Sequence, residues 1–282
     1  MHVTQITVSD KKMKKNKGLM HSAAAAPHIV WAALFIAVPL LIVIYYAFTD
    51  GEGGFSMENI FGLTEYFDIF LLSLELAVIA TFVCLLVGYP MAYFIAKAAP
   101  SRQRICLMLL MLPMWTNLLI RTYSIMAILD NGGFLSTLLG TELHIIGTKG
   151  AVIFGMVYDF LPYMVLPIYT CISKIDKNMW EAASDLGCSP IRVLTKVILP
   201  LSLSGIISGV TMVLVPCIST FYISQKLGGG TFELIGDTIE RQFVSGTLNV
   251  GAALSFVMMI LILISLWVMH KFSDGQEGGI VP

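Results

Sequence analysis

Six stretches of this sequence are each about twenty or more residues of nearly unbroken apolar character: 29–48, 70–96, 105–129, 151–172, 201–224 and 250–269. Such a run, wound as a helix at ~1.5 Å per residue, matches the ~30 Å hydrocarbon layer of a bilayer. Backbone N–H and C=O groups in lipid have to be satisfied within the segment itself, so each run is predicted to be a helix. Only 12% of the 282 residues are charged, against about 25% in soluble domains. The predicted fold class is therefore an all-α integral membrane protein with six transmembrane helices. The first run is too long for the apolar part of a cleavable leader, and no small-residue cleavage site follows it. It is read as a retained crossing.

Six crossings place both termini on one side, and positive charge identifies that side. Thirteen of the 17 Lys and Arg residues fall on the side of the N-terminal tail, among them Lys11, Lys12, Lys14, Lys15, Lys17, Arg102, Arg104, Arg192 and Lys196. That side is predicted to be cytoplasmic. Residues 1–28 read as a cytoplasmic tail and 29–69 as the first crossing with its outer loop. Residues 70–270 form the core, interrupted by a cytoplasmic loop at 174–200, and 271–282 form a second tail. The net charge of −1 gives no support to a nucleic-acid partner. The five cysteines stand far apart with no C-x-x-C or Cys/His pairing, so neither a disulfide framework nor a metal site is expected.

The polar stretch between the fourth and fifth runs reads as ordered. Asp176 suits the N-cap of a short helix over 177–186, and Gly187 suits the left-handed position that ends it. Ser189-Pro190 then restarts a helix, with Ser as N-cap and Pro at N1. Ile191, Leu194 and Ile198 are expected on one face of it. Glu181-Ala182-Ala183, three residues, Gly187, nine residues, Val197, one residue, Leu199-Pro200 resembles the E-A-A-x3-G-x9-I-x-L-P signature of ABC importer permeases, with Val for the usual Ile. The resemblance implies a type I ABC importer permease (MetI-like) fold, in which this elbow is the cytoplasmic coupling helix gripped by an ATPase subunit. Carried over by position, the ATPase-coupling residues are Glu181, Ala182, Ala183, Asp185, Leu186 and Gly187.

The segments Pro113-Met114-Trp115-Thr116-Asn117-Leu118-Leu119-Ile120-Arg121 and Tyr222-Ile223-Ser224-Gln225-Lys226-Leu227-Gly228-Gly229 are similar to those of polyamine importer permeases. That narrower likeness implies transport of spermidine and putrescine by a four-part machine. Its other members are a second related permease, an ATPase dimer and an external polyamine-binding protein. No phosphate-binding loop is present, so ATP and magnesium are expected at the ATPase and no cofactor in this chain. No paired catalytic constellation is recognisable, so no enzymatic activity is expected. An importer of another small solute and an ion-driven secondary transporter are the alternative readings.

Ionisable residues inside the runs are Glu75, Arg121 and Asp159. They are costly in lipid and are expected to face protein or water. Asp159 lies between Tyr158 and Phe160, beside Pro162 and Tyr163. A carboxylate among rings suits an organic ammonium ion; equally, Asp159 can pair with Arg121 as a structural group. The candidate pathway residues are Asp159, Tyr158, Tyr163, Trp115, Asn117 and Tyr222. Asn117 is alternatively a helix–helix contact, and Tyr222 and Tyr123 alternatively belong to an interfacial aromatic belt. Glu75 is expected at the outer interface. Pro162 and Pro167 are expected to bend or break the fourth helix. The acidic loop 50–69 and Gly228-Gly229-Gly230 are read as pliable connectors or as a landing surface for an external receptor.

Overall fold

A computed structural model describes residues 27–50, 53–141, 143–176, 178–179 and 188–277. The elbow residues Glu181, Ala182, Ala183, Asp185, Leu186 and Gly187 lie outside them, as does the helix expected over 177–186 apart from Asn178 and Met179. Among the described residues the chain is helical, with only an isolated β-bridge between Thr49 and Phe55. Four helices are long and apolar enough to cross a membrane alone: α1 (Pro27–Ala47), α2 (Glu58–Lys97), α6 (Lys149–Ser173) and α11 (Leu248–Glu277). Two further crossings are bent pairs. Segment α3 (Pro100–Trp115) meets the segment Leu118–Leu139 at 95°, the latter holding α4 (Leu118–Leu129) and α5 (Phe134–Leu139). Segment α7 (Pro190–Leu201) meets α8 (Leu203–Ser219) at 69°. Two short outer helices, α9 (Tyr222–Leu227) and α10 (Ile235–Val244), lead into α11.

The breaks fall elsewhere than expected. α6 runs unbroken through Pro162 and Pro167. The third run, expected as one helix over 105–129, turns sharply at Thr116 and Asn117, both in extended conformation. Pro113 ends the first half, where Leu112–Trp115 tightens into a 3₁₀ turn. The fifth run ends at Ser219, and Thr220 is extended before α9 begins. The bend between α7 and α8 sits at Ser202. Its hydroxyl donates to Leu199 O at 3.1 Å and lies 3.1 Å from the Tyr89 hydroxyl of α2.

Helix α6 is the column of the bundle. It is the least apolar of the four straight crossings, with mean hydropathy 1.7 against 2.5 to 2.6 for the others. It is also the most enclosed: half of its most apolar window is buried, against none for α1. Lipid accepts apolar side chains as readily as protein does, so the helix with more polar groups is the one that gains from enclosure. Close approach on three sides depends on glycine. A Cβ added at Gly88 of α2 would stand 3.1 Å from Met164 Cγ. One at Gly209 of α8 would meet Met164 O at 3.0 Å, and one at Gly205 would meet Pro167 O at 2.9 Å. Gly155 of α6 leaves the same kind of room for Ile223 and Leu227 of α9. Gripped by α2 and α8 along the same stretch, α6 keeps its course through two prolines.

Gln103 ties the other end. Its Nε2 donates to Ala96 O at 3.0 Å and Ala98 O at 2.9 Å, satisfying carbonyls at the C-terminus of α2, and its Oε1 accepts from the Tyr169 hydroxyl of α6 at 3.1 Å. Asp176 accepts from the Asn178 backbone N–H at 3.0 Å, as an N-cap does. Ser189 precedes Pro190 in extended conformation as expected, but its side chain makes no capping bond. The expected apolar face of α7 is corrected in one place. Val193 and Ile198 are buried while Ile191 is 72% exposed. Residues 194–198 form a π turn, which offsets the face by about one residue. Pro200 brings no N–H to Lys196 O, which favours such a widened turn.

At the opposite end the two glycine-bearing loops are knitted together rather than slack. Gly147 N–H donates to Leu227 O at 2.8 Å, and the Thr231 hydroxyl donates to Gly147 O at 2.7 Å. Gly229 and Gly230 take φ of 56° and 73°, a region closed to most side chains. Asp237, 6% exposed, accepts from Leu234 N–H at 2.8 Å and from the Ser224 hydroxyl at 2.9 Å, joining α10 to α9. Ile235 N–H donates to Ser73 Oγ of α2 at 2.8 Å. A second apolar cluster, including Ala47, Leu63, Ile235, Leu254 and Met258, seats α1 and α11 against this cap.

Gly209→Ala is expected to force α8 off α6, with a cost of about 1–3 kcal/mol typical of overpacking. It should lower the melting temperature of the detergent-solubilised protein by several degrees. Gly62→Ala, where the added methyl meets nothing within 4 Å, should leave it unchanged. Burial pushes the Asp237 carboxyl up from 3.8 to about 6, with Glu233 and Glu240 acting in the same direction and the two hydrogen bonds opposing. The folded state therefore holds this proton where the unfolded chain releases it. The contribution is full below about pH 4, is lost as pH rises through about 6, and is flat above. Melting curves from pH 4 to 8 should show this component in the wild type and not in Asp237→Asn.

Candidate translocation site

Asp159 lies midway along α6 and is 1% exposed. Arg121 reaches it from α4. Arg121 Nε and Asp159 Oδ1 are 2.6 Å apart, with side-chain exposures of 11% and 1%. The contact is close but off the line of the N–H bond. Neither of these two atoms, nor Arg121 Nη1, nor Asp159 Oδ2, has a hydrogen-bond partner. It is thus an ion pair without the two parallel hydrogen bonds of a fork, the strong form of Arg–carboxylate contact. Charge neutralisation keeps both groups tolerable at this depth, and spare donor and acceptor capacity remains on each.

A cavity of ≈570 Å3 opens between α4 and α6 beside this pair. Arg121 forms part of its wall, with the rings of Phe154 and Tyr158 and the hydroxyl-bearing Thr116 and Ser124. Its volume falls in the range that holds small molecules, about 300–1,000 Å3. Asp159 does not line it; the carboxylate stands behind the guanidinium. Of the residues expected along a pathway, Tyr158 lines the cavity and is 42% exposed, while Asp159 meets it only through its partner Arg121.

The others lie apart. The Tyr222 ring meets Tyr123 edge-on at 6.1 Å, and Lys226 Nζ stands 5.3 Å from the Tyr123 ring centroid and 5.7 Å from that of Tyr222. This is an aromatic pair holding an ammonium group between α4 and α9. Asn117 is a helix cap: its Oδ1 accepts from Leu119 N–H at 2.8 Å. That bond fixes where α4 begins, and so where Arg121 stands one turn later. Trp115 is 78% exposed on the 3₁₀ turn, and Tyr163 is 39% exposed and packs near Phe160. Glu75, expected at an interface, is half exposed and lies 3.5 Å from Lys149 Nζ, a pair of little energetic weight. Thr116, Ser124 and Phe154 had no signal in the sequence that marked them as lining residues. Gly205 and Gly209 did, since small residues four apart are a packing motif of membrane helices.

Among the described residues no group of three or more His, Cys, Asp or Glu side chains is arranged to hold a metal ion. The arrangement can do two things chemically. It offers a space of small-molecule size between α4 and α6, and it walls that space with a guanidinium, ring faces and hydroxyls, the guanidinium being neutralised by a carboxylate outside the lining.

The family model for "Binding-protein-dependent transport system inner membrane component" matches residues 88–275. The spermidine/putrescine transport system permease protein PotB of Escherichia coli (strain K12) is 37% identical over 262 residues, covering 86% of this chain and 94% of that protein. PotB of Haemophilus influenzae is 36% identical over 256 residues, covering 86% and 90%. Among solved structures, a chain of a bacterial ABC transporter that imports the acidic polysaccharide alginate superposes with TM-score 0.74 at 17% identity, over 93% of this chain and 97% of that one. The methionine ABC transporter MetNI, in an inward-facing conformation, gives TM-score 0.58 at 16% identity, over 74% and 94%. At such identities the structural likeness carries the fold alone, and the fold is that of ABC importer permeases.

Proposed function

Because the chain belongs to the family of binding-protein-dependent transport system inner membrane components, we propose that it is the permease subunit of an ATP-driven importer of polyamines, spermidine and putrescine. The observation that carries the substrate class is the match to PotB along 94% of that protein's length. The ring faces of the cavity wall and the buried carboxylate paired to that wall through Arg121 support it from the side of chemistry, because an organic ammonium ion gains from both. Asp159 serves as the acceptor in the pathway, Tyr158 flanks it, and Tyr222 with Tyr123 offers ring faces nearer the α9 cap. The protein is a multi-pass component of the inner membrane, and its N- and C-termini lie in the cytoplasm by the distribution of Lys and Arg.

Its partners are a PotA-like ATPase dimer, a PotC-like second permease and a PotD-like polyamine-binding protein. The permease passes solute without changing it covalently and carries no cofactor; ATP and magnesium act at the ATPase. The elbow residues Glu181, Ala182, Ala183, Asp185, Leu186 and Gly187 dock to that ATPase. Beside them, α7 exposes Ile191 on the same end of the molecule as Gln103 and Tyr169. A displacement of α7 passes through the 69° bend at Ser202 into α8, which grips α6. Closure of the ATPase dimer thereby reaches the pathway helix through a short rigid train of elements.

Uptake of labelled spermidine by cells carrying the complete system tests the substrate. Competition by unlabelled putrescine and none by amino acids or sugars is expected; competition only by a neutral or anionic solute would reject the polyamine reading. Glu181→Lys and Gly187→Val are each expected to abolish uptake while leaving membrane insertion and ATP hydrolysis by the partner measurable. Normal uptake by both would remove the coupling role of the elbow.

A further inference from the structure

Resting on the polyamine reading, we propose that Arg121 is a tethered stand-in for the substrate: it occupies the Asp159 carboxylate in the resting permease, and an alkylammonium group entering the ≈570 Å3 cavity displaces it. The geometry of the pair is the first ground. A buried carboxylate needs a cation beside it, and Arg121 supplies one at 2.6 Å. The pairing is nevertheless incomplete. Asp159 Oδ2 and Arg121 Nη1 have no hydrogen-bond partner, so the carboxylate keeps acceptor capacity for a second donor.

Position is the second ground. Arg121 is wall and Asp159 is behind it. Withdrawing the guanidinium opens the carboxylate to the cavity, and the remaining lining suits what then enters. Phe154 and Tyr158 offer ring faces to a cation, and Thr116 and Ser124 offer hydroxyl oxygens to its N–H groups. Ile120, Ile125, Ile128 and Leu129 offer contact to a methylene chain. Arg121 is the single charged residue of that lining, so an anion finds one cation already compensated from behind.

The support of each residue is the third. Asp159 stands on α6, held on two sides by glycine contacts, whereas Arg121 rides on α4 beyond a 95° corner. The exchange therefore moves Arg121 and keeps Asp159 in place. The exchange replaces one monovalent cation by another at a fixed carboxylate, so the carboxylate is never bare at membrane depth; the released guanidinium passes into the cavity, where the Thr116 and Ser124 hydroxyl oxygens and water accept its N–H groups. A neutral or anionic solute has nothing to exchange.

The test uses the complete importer in proteoliposomes, with labelled spermidine outside and uptake normalised to assembled complex. Asp159→Asn should raise the half-saturating spermidine concentration on the order of tenfold or more. Arg121→Gln should lower it several-fold, because a competitor is gone, and Arg121→Lys should fall between. The reversed pair, Arg121→Asp with Asp159→Arg, should restore assembly to the wild-type level yet import no spermidine, since a cation then stands where the acceptor was. Spermidine uptake rescued by the reversed pair would make the contact structural and overturn the proposal. So would Arg121→Gln raising half-saturation as Asp159→Asn does, or both single variants leaving it unchanged while uptake proceeds. A wild-type complex that imports another solute and no polyamine overturns the substrate reading and the exchange with it.

Discussion

In hydrocarbon, helices gain little by hiding apolar side chains from a solvent that is equally apolar. What holds this chain together is the distance at which α6 can approach its neighbours, and three glycines set that distance. Gly88, Gly205 and Gly209 bring the backbones of α2 and α8 so close to Met164–Cys171 that any side chain at those positions would meet carbonyl oxygen, sulfur or a neighbouring carbon at about 3 Å or less. Dispersion between backbones packed this tightly, repeated along the contact, replaces the burial term that stabilises soluble bundles. The apolar side chains left over, such as Phe82, Leu86 and Phe94 of α2, point outward and remain exposed on the isolated chain.

Function follows from the contrast between that fixed column and the two bent crossings. α6 carries the carboxylate and cannot yield without breaking contacts on both sides. α3 with α4 and α7 with α8 each turn at a residue whose side chain bonds the nearby backbone: Asn117 Oδ1 accepts from Leu119 N–H at one corner, and the Ser202 hydroxyl donates to Leu199 O at the other. In the proposed mechanism a push arriving at α7 and an ion arriving at α4 both act on this central helix.

Most of this architecture was legible in the sequence because the signals are physical necessities. The six apolar runs are helical, two of them with breaks that were not expected, the Ser189-Pro190 restart stands where it was expected, and Arg121 pairs with Asp159 as one of the two readings allowed. The corners were not legible. Proline marks a missing hydrogen bond, but whether the helix breaks depends on the neighbours: Pro162 and Pro167 lie in an unbroken helix packed against α2 and α8, while Pro113 is followed by Thr116 and Asn117, which can cap a new helix. The face of α7 was misjudged at Ile191 because a π turn shifts register without leaving a mark in the spacing. Gly228-Gly229-Gly230 looked slack, yet Gly229 and Gly230 stand at positive φ and Gly229 lies close against Gly147. Trp115 and Tyr163 share the chemistry of the site but not its location, since residue type alone does not say which way a side chain faces.

The central claim is that this chain is a conduit driven from outside itself. Its most direct test is spermidine uptake into sealed vesicles containing the chain alone, the chain with its second permease and binding protein, and the full set with the ATPase and internal ATP. Uptake is expected only in the full set and only with ATP that can be hydrolysed. Accumulation of spermidine in vesicles that hold this chain alone, or in the full set without ATP, would contradict it.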